Sequence, residues 1–341
     1  MRRWMFWVLI ALSAVLGASG LWLQREFSTP YFGAGNEERF VEIPRGAGTN
    51  GIVDALQNGG VLHARLPFVL YVRWAGLERR LQAGEYRFSA PARPVEIARR
   101  LVQGDVYFRT VVIPEGLTAR ETIALLARKG FGNERELAEL LHRVDWISDL
   151  DKNGDSLEGY LFPDTYRFPR QSSSEEILRV MVAQFHIRMS RLLAATPIPA
   201  GWNLRQIVTL ASMIEKEAGT AEERRLVSSV LTNRLRRKIP LACDPTIIYA
   251  MKQAGTYQGN LRKTDLSMAS PYNSYLHAGL PPGPIANPGS DSLAAALSPA
   301  VSDYLYYVAR NDGTHYFSKD LQSHLQAVSR YQKRGTRSPG R

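Results

Sequence analysis

The chain has 341 residues, and 43 Lys and Arg against 32 Asp and Glu give it a net charge of +11 at pH 7. Its length allows two domains, and 45% hydrophobic residues with 22% charged residues exclude a disordered chain. The positive charge favours polyanionic surroundings, namely nucleic acid, anionic lipid headgroups or an anionic polymer. The sequence contains no nucleic-acid-binding motif. A single cysteine, Cys243, excludes an internal disulfide and a cysteine-rich metal cluster.

The N-terminus contains a candidate membrane anchor. Residues 4–23 are 20 consecutive residues without a charge, enough to cross the hydrocarbon core of a bilayer. Arg2 and Arg3 precede this run and a large domain follows it, which predicts that the N-terminus stays inside while the bulk of the chain lies outside. The alternative is a cleaved signal peptide, since Ala18-Ser19-Gly20 resembles a cleavage site. The apolar run continues beyond it to Leu23, which favours an uncleaved anchor.

A small module is predicted to follow a linker over residues 24–39. Residues 41–44 and 84–88 have strand patterns, and residues 49–59 and 94–103 have helix patterns. The hydrophobic residues of segment 68–74 follow neither a clear helix period nor a clear strand period. Two strands with helices between them predict a compact α+β module of the size used for polysaccharide binding, although a plain spacer domain fits the same pattern.

The segment of greatest functional interest is a predicted helix over residues 206–219. Its apolar residues recur every three or four positions and lead into Glu215 and Glu217, with Gly219 as the predicted C-terminal stop. At about 100° per residue, the two carboxylates lie on opposite flanks of the apolar stripe. One of them can therefore act at a site while the other forms a structural ion pair. Glu217 lies nearer the helix C-terminus, where the dipole raises a carboxyl pKa, as a general acid requires. Two ordinary surface charges remain the alternative.

Several other segments limit the chemistry. Residues 151–155 (DKNGD) fail as a calcium loop because Ser156 stands where the loop glycine belongs. His315 and His324 lack metal-ligand spacing, so we expect hydrogen-bonded core or supporting residues there. No GxSxG or phosphate-binding loop is present. Asp244 before Pro245 predicts a turn that opens a helix, and Asp312-Gly313 predicts a hairpin. Carboxylate chemistry is the enzymatic option that remains.

Seven segments, taken together and in order, carry a family resemblance. They resemble the endolytic murein transglycosylases, also called the YceG-like family, from about Phe40 to Val328. The segments are IPEGLT (113–118), LEGYLFPDTYRF (157–168), LASMIEKEAG (210–219), NRL (233–235), DPTIIYA (244–250), PYNSYLHAGLPPGPIANPG (271–289) and YLYYVARNDGTHYFS (304–318).

The resemblance implies a fold, a location and an activity. The fold class would be α+β, with a transmembrane helix, a LysM-like α+β module and a larger mixed α/β catalytic domain. The protein would sit in the bacterial inner membrane with its catalytic domain in the periplasm. It would cut nascent peptidoglycan strands internally, between N-acetylmuramic acid and N-acetylglucosamine, and leave 1,6-anhydro-muramyl ends. Peptidoglycan and cell-wall synthases (penicillin-binding proteins) are the implied partners, with no cofactor, metal or nucleic acid.

The resemblance also assigns candidate site residues. The family's catalytic glutamate maps onto Glu217, which would act first as acid and then as base. Candidates for substrate contact or support are Glu215, Glu158, Asp244, Asn273 and Tyr275, and each of these can equally be structural. The chain departs from the family pattern at Ala242-Cys243, where relatives often have Gln followed by Ser or Thr, and at His324-Leu325, where they often have His-Asn.

The sequence thus predicts six segments and leaves two rival functions open. A noncatalytic peptidoglycan-binding scaffold for synthases and a hydrolase that uses water are the rivals. The predicted segments are a cytoplasmic tip (1–3), a transmembrane helix (4–23), a linker (24–39), a LysM-like module (40–108), a catalytic domain (109–332) and a disordered tail (333–341).

Overall fold

The structure is a computed structural model that describes residues 2–34 and 37–333. The chain divides into two compact units. The first, here called the N-terminal unit, comprises Met1–Thr110 and Arg167–Ser172, and the second, the C-terminal unit, comprises Val111–Tyr166 and Ser173–Arg341. The predicted tail falls almost wholly on residues 334–341, which lie outside the described residues.

The N-terminal helix α1 (Arg2–Ser28) is longer than predicted. Its segment Trp4–Ser28 is long and apolar enough to cross a membrane, judged by length and composition. The predicted linker was wrong at its start, because α1 continues through residues 24–28. Helix-forming residues such as Leu23, Gln24, Arg25 and Glu26 extend the helix, and residues 24–28 include no glycine or proline.

The rest of the N-terminal unit is a small α+β layer. Its two strands pair antiparallel, with Val41 opposite Tyr86, and the buried side chains of the strands and helices form one core. Helix α3 was missed by the sequence analysis, since Pro67 and aromatic residues obscure its period; Pro67 is tolerated because it lies in the first turn. In chain order the elements are β1 (Arg39–Ile43), α2 (Thr49–Asn58), α3 (Arg65–Trp74), β2 (Gly84–Phe88) and α4 (Pro94–Gln103).

The C-terminal unit is mainly helical. The division between the two units falls within β3 and β4, which form a two-stranded sheet, and a β5–β6 hairpin forms another. The predicted mixed α/β class is confirmed, while the LysM-like character of the first unit stays a prediction. The elements are β3 (Phe108–Val112), α5 (Ala119–Arg128), α6 (Glu134–Leu140), β4 (Thr165–Pro169), α7 (Ser174–Ala195), α8 (Leu204–Glu217), α9 (Arg224–Arg236), α10 (Asp244–Gln253), α11 (Ser290–Leu297), β5 (Tyr306–Ala309), β6 (His315–Ser318) and α12 (Leu321–Val328).

Helix α8 lies at the centre of this unit. Every residue from Ile207 to Ile214 is buried, and the helix packs against α9 and α11. A capping box fixes its start: Asn203 Oδ1 accepts from the backbone N–H of Gln206, and the Gln206 side chain accepts from the N–H of Asn203, both at 2.9 Å. A helix held at its start and along its length presents its last turn in a fixed position.

Candidate active site

The two carboxylates at the end of α8 face different surroundings, as the helical period predicted. Glu215 Oε2 accepts from the backbone N–H of Gly289 at 3.0 Å, and its Oε1 lies 3.6 Å from an Nη2 of Arg224. The Glu215 side chain is only 6% exposed. Glu215 therefore makes a buried structural ion pair that ties α8 to α9 and to the start of α11.

Helix α8 ends at Glu217 rather than at the predicted Gly219. Ala218 caps it with extended backbone, φ −71° and ψ 126°. Gly219 is not a left-handed terminator, so its predicted role was wrong. A Cβ at Gly219 would lie 2.2 Å from the carbonyl oxygen of Gly313. The glycine is needed because the tip of the β5–β6 hairpin passes against the chain at this point.

Glu217 lies in the wall of a cavity of about 600 Å³. Three parts of the C-terminal unit surround it: the end of α8, the start of α10 with the loop at Tyr275, and the β5–β6 hairpin with α12. Polar and aromatic side chains are prominent in the lining, notably Glu217, Asp244, Tyr275, Tyr306, Tyr307 and His315. The cavity therefore combines carboxyl groups with aromatic rings at one site.

The pKa of Glu217 is raised to about 7, chiefly by burial. The nearby negative charge of Asp244 raises it further, while hydrogen bonds from Tyr307 and Cys243 and the positive charge of His315 lower it. The helix dipole, which the sequence analysis invoked, is thus not the main cause. Glu217 is only partly exposed, so it can meet a ligand in the cavity and still hold a proton near neutral pH.

Asp244 and Tyr275 lie together in the same cavity. Tyr275 Oη donates to Asp244 Oδ1 at 2.6 Å. Asp244 stands in the first turn of α10 and does not cap it, because Cys243 occupies the cap position. The loop is joined to this turn by Ser274, whose Oγ accepts from the backbone N–H of Cys243 at 2.9 Å. Asp244 and Tyr275 are therefore placed where they can contact a ligand of Glu217.

Glu158, Glu215 and Asn273 are not among the described residues that line this cavity. Asn273 holds the loop in shape: its Nδ2 donates to the carbonyls of Leu266 and Met268, and its Oδ1 accepts from the N–H of Tyr275. Asn273 thus positions Tyr275 from behind the cavity wall.

Glu158 is buried at the start of α5. It accepts from the N–H of Ala119 at 2.9 Å and from Tyr249 Oη at 3.3 Å, and burial raises its pKa to about 8. These contacts account for Glu158 as a structural group. Its predicted role in substrate contact stays a prediction that this geometry does not favour.

The sequence analysis did not single out Tyr307 or Glu223. Tyr307 contacts Glu217 from β5. Glu223 Oε1 accepts a hydrogen bond from the backbone N–H of His315 at 2.7 Å, and Glu223 Oε2 lies 2.8 Å from Nδ1 of the same histidine. Glu223 thus fixes the ring of His315, whose edge meets the ring of Tyr307 at a centroid distance of 5.4 Å. The alternation of the YLYYVA strand places Tyr307 and Leu305 on one face, but no period relates them to α8.

No group of three His, Cys, Asp or Glu side chains suited to a metal ion occurs within residues 2–34 and 37–333. The acidic segment at residues 151–155, which the sequence excluded as a calcium loop, makes structural contacts. Asp151 Oδ2 accepts from Tyr160 Oη at 2.8 Å and from Arg205 Nη1 at 2.6 Å. Asp151 therefore forms a buried polar network with the first turn of α8.

Comparison with known proteins gives consistent matches over most of the chain. A sequence model described as the YceG-like family matches residues 41–330. A Bacillus subtilis (strain 168) protein named endolytic murein transglycosylase is 32% identical over 307 residues, covering 85% of this chain and 84% of the relative. A protein of the same name from Streptococcus pneumoniae (strain R6) is 27% identical, and the match covers 87% of this chain but 59% of that relative. The crystal structure of a YceG-like protein from Listeria monocytogenes superimposes with a TM-score of 0.56 at 31% identity, covering 86% of this chain and all of that one.

Proposed function

This chain belongs to the YceG-like family, and we propose that it is a lytic murein transglycosylase with Glu217 as its acid and base. Two relatives named endolytic murein transglycosylase support the activity class. The substrate is the glycan strand of peptidoglycan, and the bond cleaved joins N-acetylmuramic acid to N-acetylglucosamine.

One observation carries the proposal: a carboxyl group with a pKa of about 7 in the wall of a 600 Å³ cavity that also holds tyrosine rings. A carboxyl that keeps its proton near neutral pH is a competent general acid. Tyrosine rings such as Tyr275 and Tyr307 have apolar faces and polar tips, which suit a sugar that presents both C–H groups and hydroxyls.

The reaction needs one carboxyl group used twice. Glu217 donates its proton to the glycosidic oxygen as the bond to the muramyl C1 breaks, which releases N-acetylglucosamine as an alcohol. The Glu217 carboxylate then takes the proton of the muramyl C6 hydroxyl, whose oxygen closes onto C1. The 1,6-anhydro ring forms, Glu217 is protonated again, and no water is consumed.

A hydrolase is the second candidate, because the cavity also holds Asp244. Most glycosidases that add water use two carboxyl groups, one on each side of the scissile bond. In the lytic reaction Asp244 has a different use: its negative charge keeps Glu217 protonated. The nature of the new chain end separates these two reactions.

The test is incubation of the full-length chain with purified, peptide-free glycan strands, followed by mass spectrometry of the products. We expect 1,6-anhydro ends and internal cuts. Glu217→Gln should lower kcat/KM by a factor of about 10² to 10⁴, the contribution typical of general acid–base catalysis. Glu139→Gln, an exposed carboxyl on α6, is the matched control and should leave kcat/KM unchanged.

Three outcomes would count against parts of the proposal. Reducing ends would show a hydrolase, and intact strands would favour the noncatalytic scaffold. An active Glu217→Gln variant beside a correctly folded but inactive Glu215→Gln variant would show that the wrong carboxyl had been assigned.

The proposed location follows from α1 and from the basic N-terminal tip. We place α1 across the bacterial inner membrane, with the C-terminal unit in the periplasm near newly made strands and their synthases. The N-terminal unit, with two strands and helices in β–α–α–β–α order, is proposed as the LysM-like module that holds a glycan strand.

A further inference from the structure

Helix α3 carries an apolar stripe on its exposed face. Leu66, Leu70 and Trp74 are 50%, 41% and 86% exposed, and their spacing of four residues places them along one side of the helix. Phe68 and Val72, on the opposite side, are fully buried in the core of the N-terminal unit. The three exposed residues, here called the α3 stripe, are therefore additional to what the core requires.

Basic side chains accompany the α3 stripe. Residues 65–80 contain four arginines (Arg65, Arg73, Arg79 and Arg80) and one glutamate, Glu78. Arg65 and Arg73 have exposed acidic partners in Asp54 and Glu78, whereas Arg79 and Arg80 are exposed beyond the helix end. An apolar stripe with a net positive charge around it is the pattern of a helix that lies on an anionic bilayer.

The membrane anchor leads directly into this unit. The side chains of α1 are exposed over residues 4–8 and 10–22, and burial begins at Leu23, Glu26 and Phe27; α1 contacts α3. Glu26 Oε2 lies 3.1 Å from Nδ1 of His63, two residues before α3. About 20 residues of helix span the hydrocarbon core, so the folded unit begins where the bilayer ends.

We propose that the α3 stripe lies in the interfacial layer of an anionic lipid bilayer, as a second attachment beside α1. Trp74 and the leucines enter the boundary between headgroups and acyl chains, where indole rings are favoured. Arg79 and Arg80 meet lipid phosphates. The proposal rests on the proposed anchoring by α1. It implies that the face of the N-terminal unit with the α3 stripe lies against the membrane.

The bilayer is favoured over a glycan strand or a second copy of the chain by continuity with α1 and by charge. A glycan strand has no hydrocarbon layer to receive the exposed Leu66 and Leu70, and a second copy carries the same positive charge around the same stripe. These other occupants are distinguishable outcomes of the test.

The test uses the full-length chain in vesicles, with an environment-sensitive fluorophore on one introduced cysteine. Cys243 is buried, so an introduced surface cysteine is the reactive thiol. Labels at Leu70→Cys and Trp74→Cys should be quenched by lipid-attached spin labels and lose quenching by aqueous iodide in vesicles of phosphatidylglycerol and phosphatidylcholine. Val301→Cys, fully exposed in the C-terminal unit, should stay open to iodide. Arg79→Glu with Arg80→Glu should reduce the lipid quenching of the α3 label.

A label at Val15→Cys in α1 separates failure of the anchor from failure of this inference. Lipid quenching at Val15→Cys with full iodide access at Leu70→Cys and Trp74→Cys would overturn the proposal while leaving the anchor intact. Protection from iodide that appears only after glycan strands are added would assign the α3 stripe to the glycan. Protection that grows with the protein-to-lipid ratio would assign it to a second copy. Either result contradicts the bilayer assignment.

Discussion

The pKa of Glu217 depends on neighbouring charged groups, so single substitutions nearby should shift it. Burial and the negative charge of Asp244 raise its pKa, His315 lowers it, and the net result is a pKa of about 7. Because the first step of the proposed reaction needs a protonated Glu217, kcat/KM should fall as the pH rises through the pKa of this group. The basic limb of the pH profile therefore reports directly on the neighbours of this one group.

Replacement of His315 by glutamine should move that limb to higher pH. The substitution removes a positive charge that favours the Glu217 carboxylate, so the pKa of Glu217 rises and the acid stays protonated further into the alkaline range. Asp244→Asn should move the limb the opposite way, because it removes a negative charge. The measurement is kcat/KM against pH on glycan strands.

His142→Gln, at an exposed histidine outside the cavity, is the control for the His315 variant and should leave the limb in place. A basic limb that His315→Gln and Asp244→Asn both leave unchanged would show that another group sets the pH dependence. A shift of both variants in the same direction would point to a general loss of site structure.

The same pKa has a consequence for stability. The pKa of Glu217 is raised from 4.5 to about 7 in the folded chain, so its proton stabilises the fold fully below pH 4.5, and this stabilisation is lost as the pH rises through 7. At about 1.4 kcal/mol per pKa unit, the loss reaches about 3 kcal/mol. Glu217→Gln stays neutral, so it should melt at a higher temperature than the wild type at pH 9.

The stability difference should be small at pH 4.5, where both side chains are neutral. Thermal melting of the detergent-solubilised chains at the two pH values measures it, and Glu139→Gln should match the wild type at both. A Glu217→Gln variant that melts below the wild type at pH 9 would contradict the raised pKa. An inactive but more stable variant is the combination expected of a buried catalytic acid.

At the scale of elements, the site depends on how the β5–β6 hairpin meets the end of α8. The hairpin supplies Tyr307 and His315, and its tip reaches the backbone at Gly219, two residues after Glu217. Since a Cβ at Gly219 would collide with backbone, one of the two segments must move. The close approach of the hairpin to Glu217 therefore requires that residue 219 has no side chain.

Gly219→Ala should therefore impair catalysis more than stability. A displacement of about 1 Å in a catalytic group costs roughly a hundredfold in rate, and we expect a loss of kcat of that order. Gly48→Ala is the matched control, because a Cβ there meets no atom within 4 Å. A Gly219→Ala enzyme with wild-type kcat would show that the hairpin adjusts freely.

Local signals in the sequence predicted most elements but not their contacts. Asp244 before Pro245 predicted the start of α10, and the helical period separated Glu215 from Glu217. Gly219 was misinterpreted because the constraint on it is its contact with the backbone of Gly313, which is distant in the sequence. Helix α3 was missed because Pro67, aromatic residues and an apolar exposed face together obscure its amphipathic period. Tyr307 and Glu223 escaped notice because only tertiary packing brings them to the site.

At the scale of the whole molecule, the net charge and α1 are both consistent with the proposed attachment to an anionic membrane. The net charge is +11, and α1 contains a 25-residue segment with the length and hydropathy of a membrane span. A signal peptide has an apolar region of about 7–15 residues, which α1 exceeds. The helix also continues without a break through Ala18, Ser19 and Gly20, and its end packs on the N-terminal unit.

These features predict that the mature protein keeps its N-terminus and stays in the membrane fraction. Mass spectrometry of the purified chain should give the uncleaved mass, and alkaline carbonate should not extract it. Leu12→Arg with Val15→Arg should release the chain, because each arginine near the centre of a span costs about 2.5–3.5 kcal/mol on the insertion scale. Arg330→Gln, in the C-terminal unit, is the control and should stay in the membrane. A mature chain that begins near Leu21 and is extracted by carbonate would show that α1 is a cleaved signal, because only an intact apolar helix can hold the chain in the bilayer against that treatment.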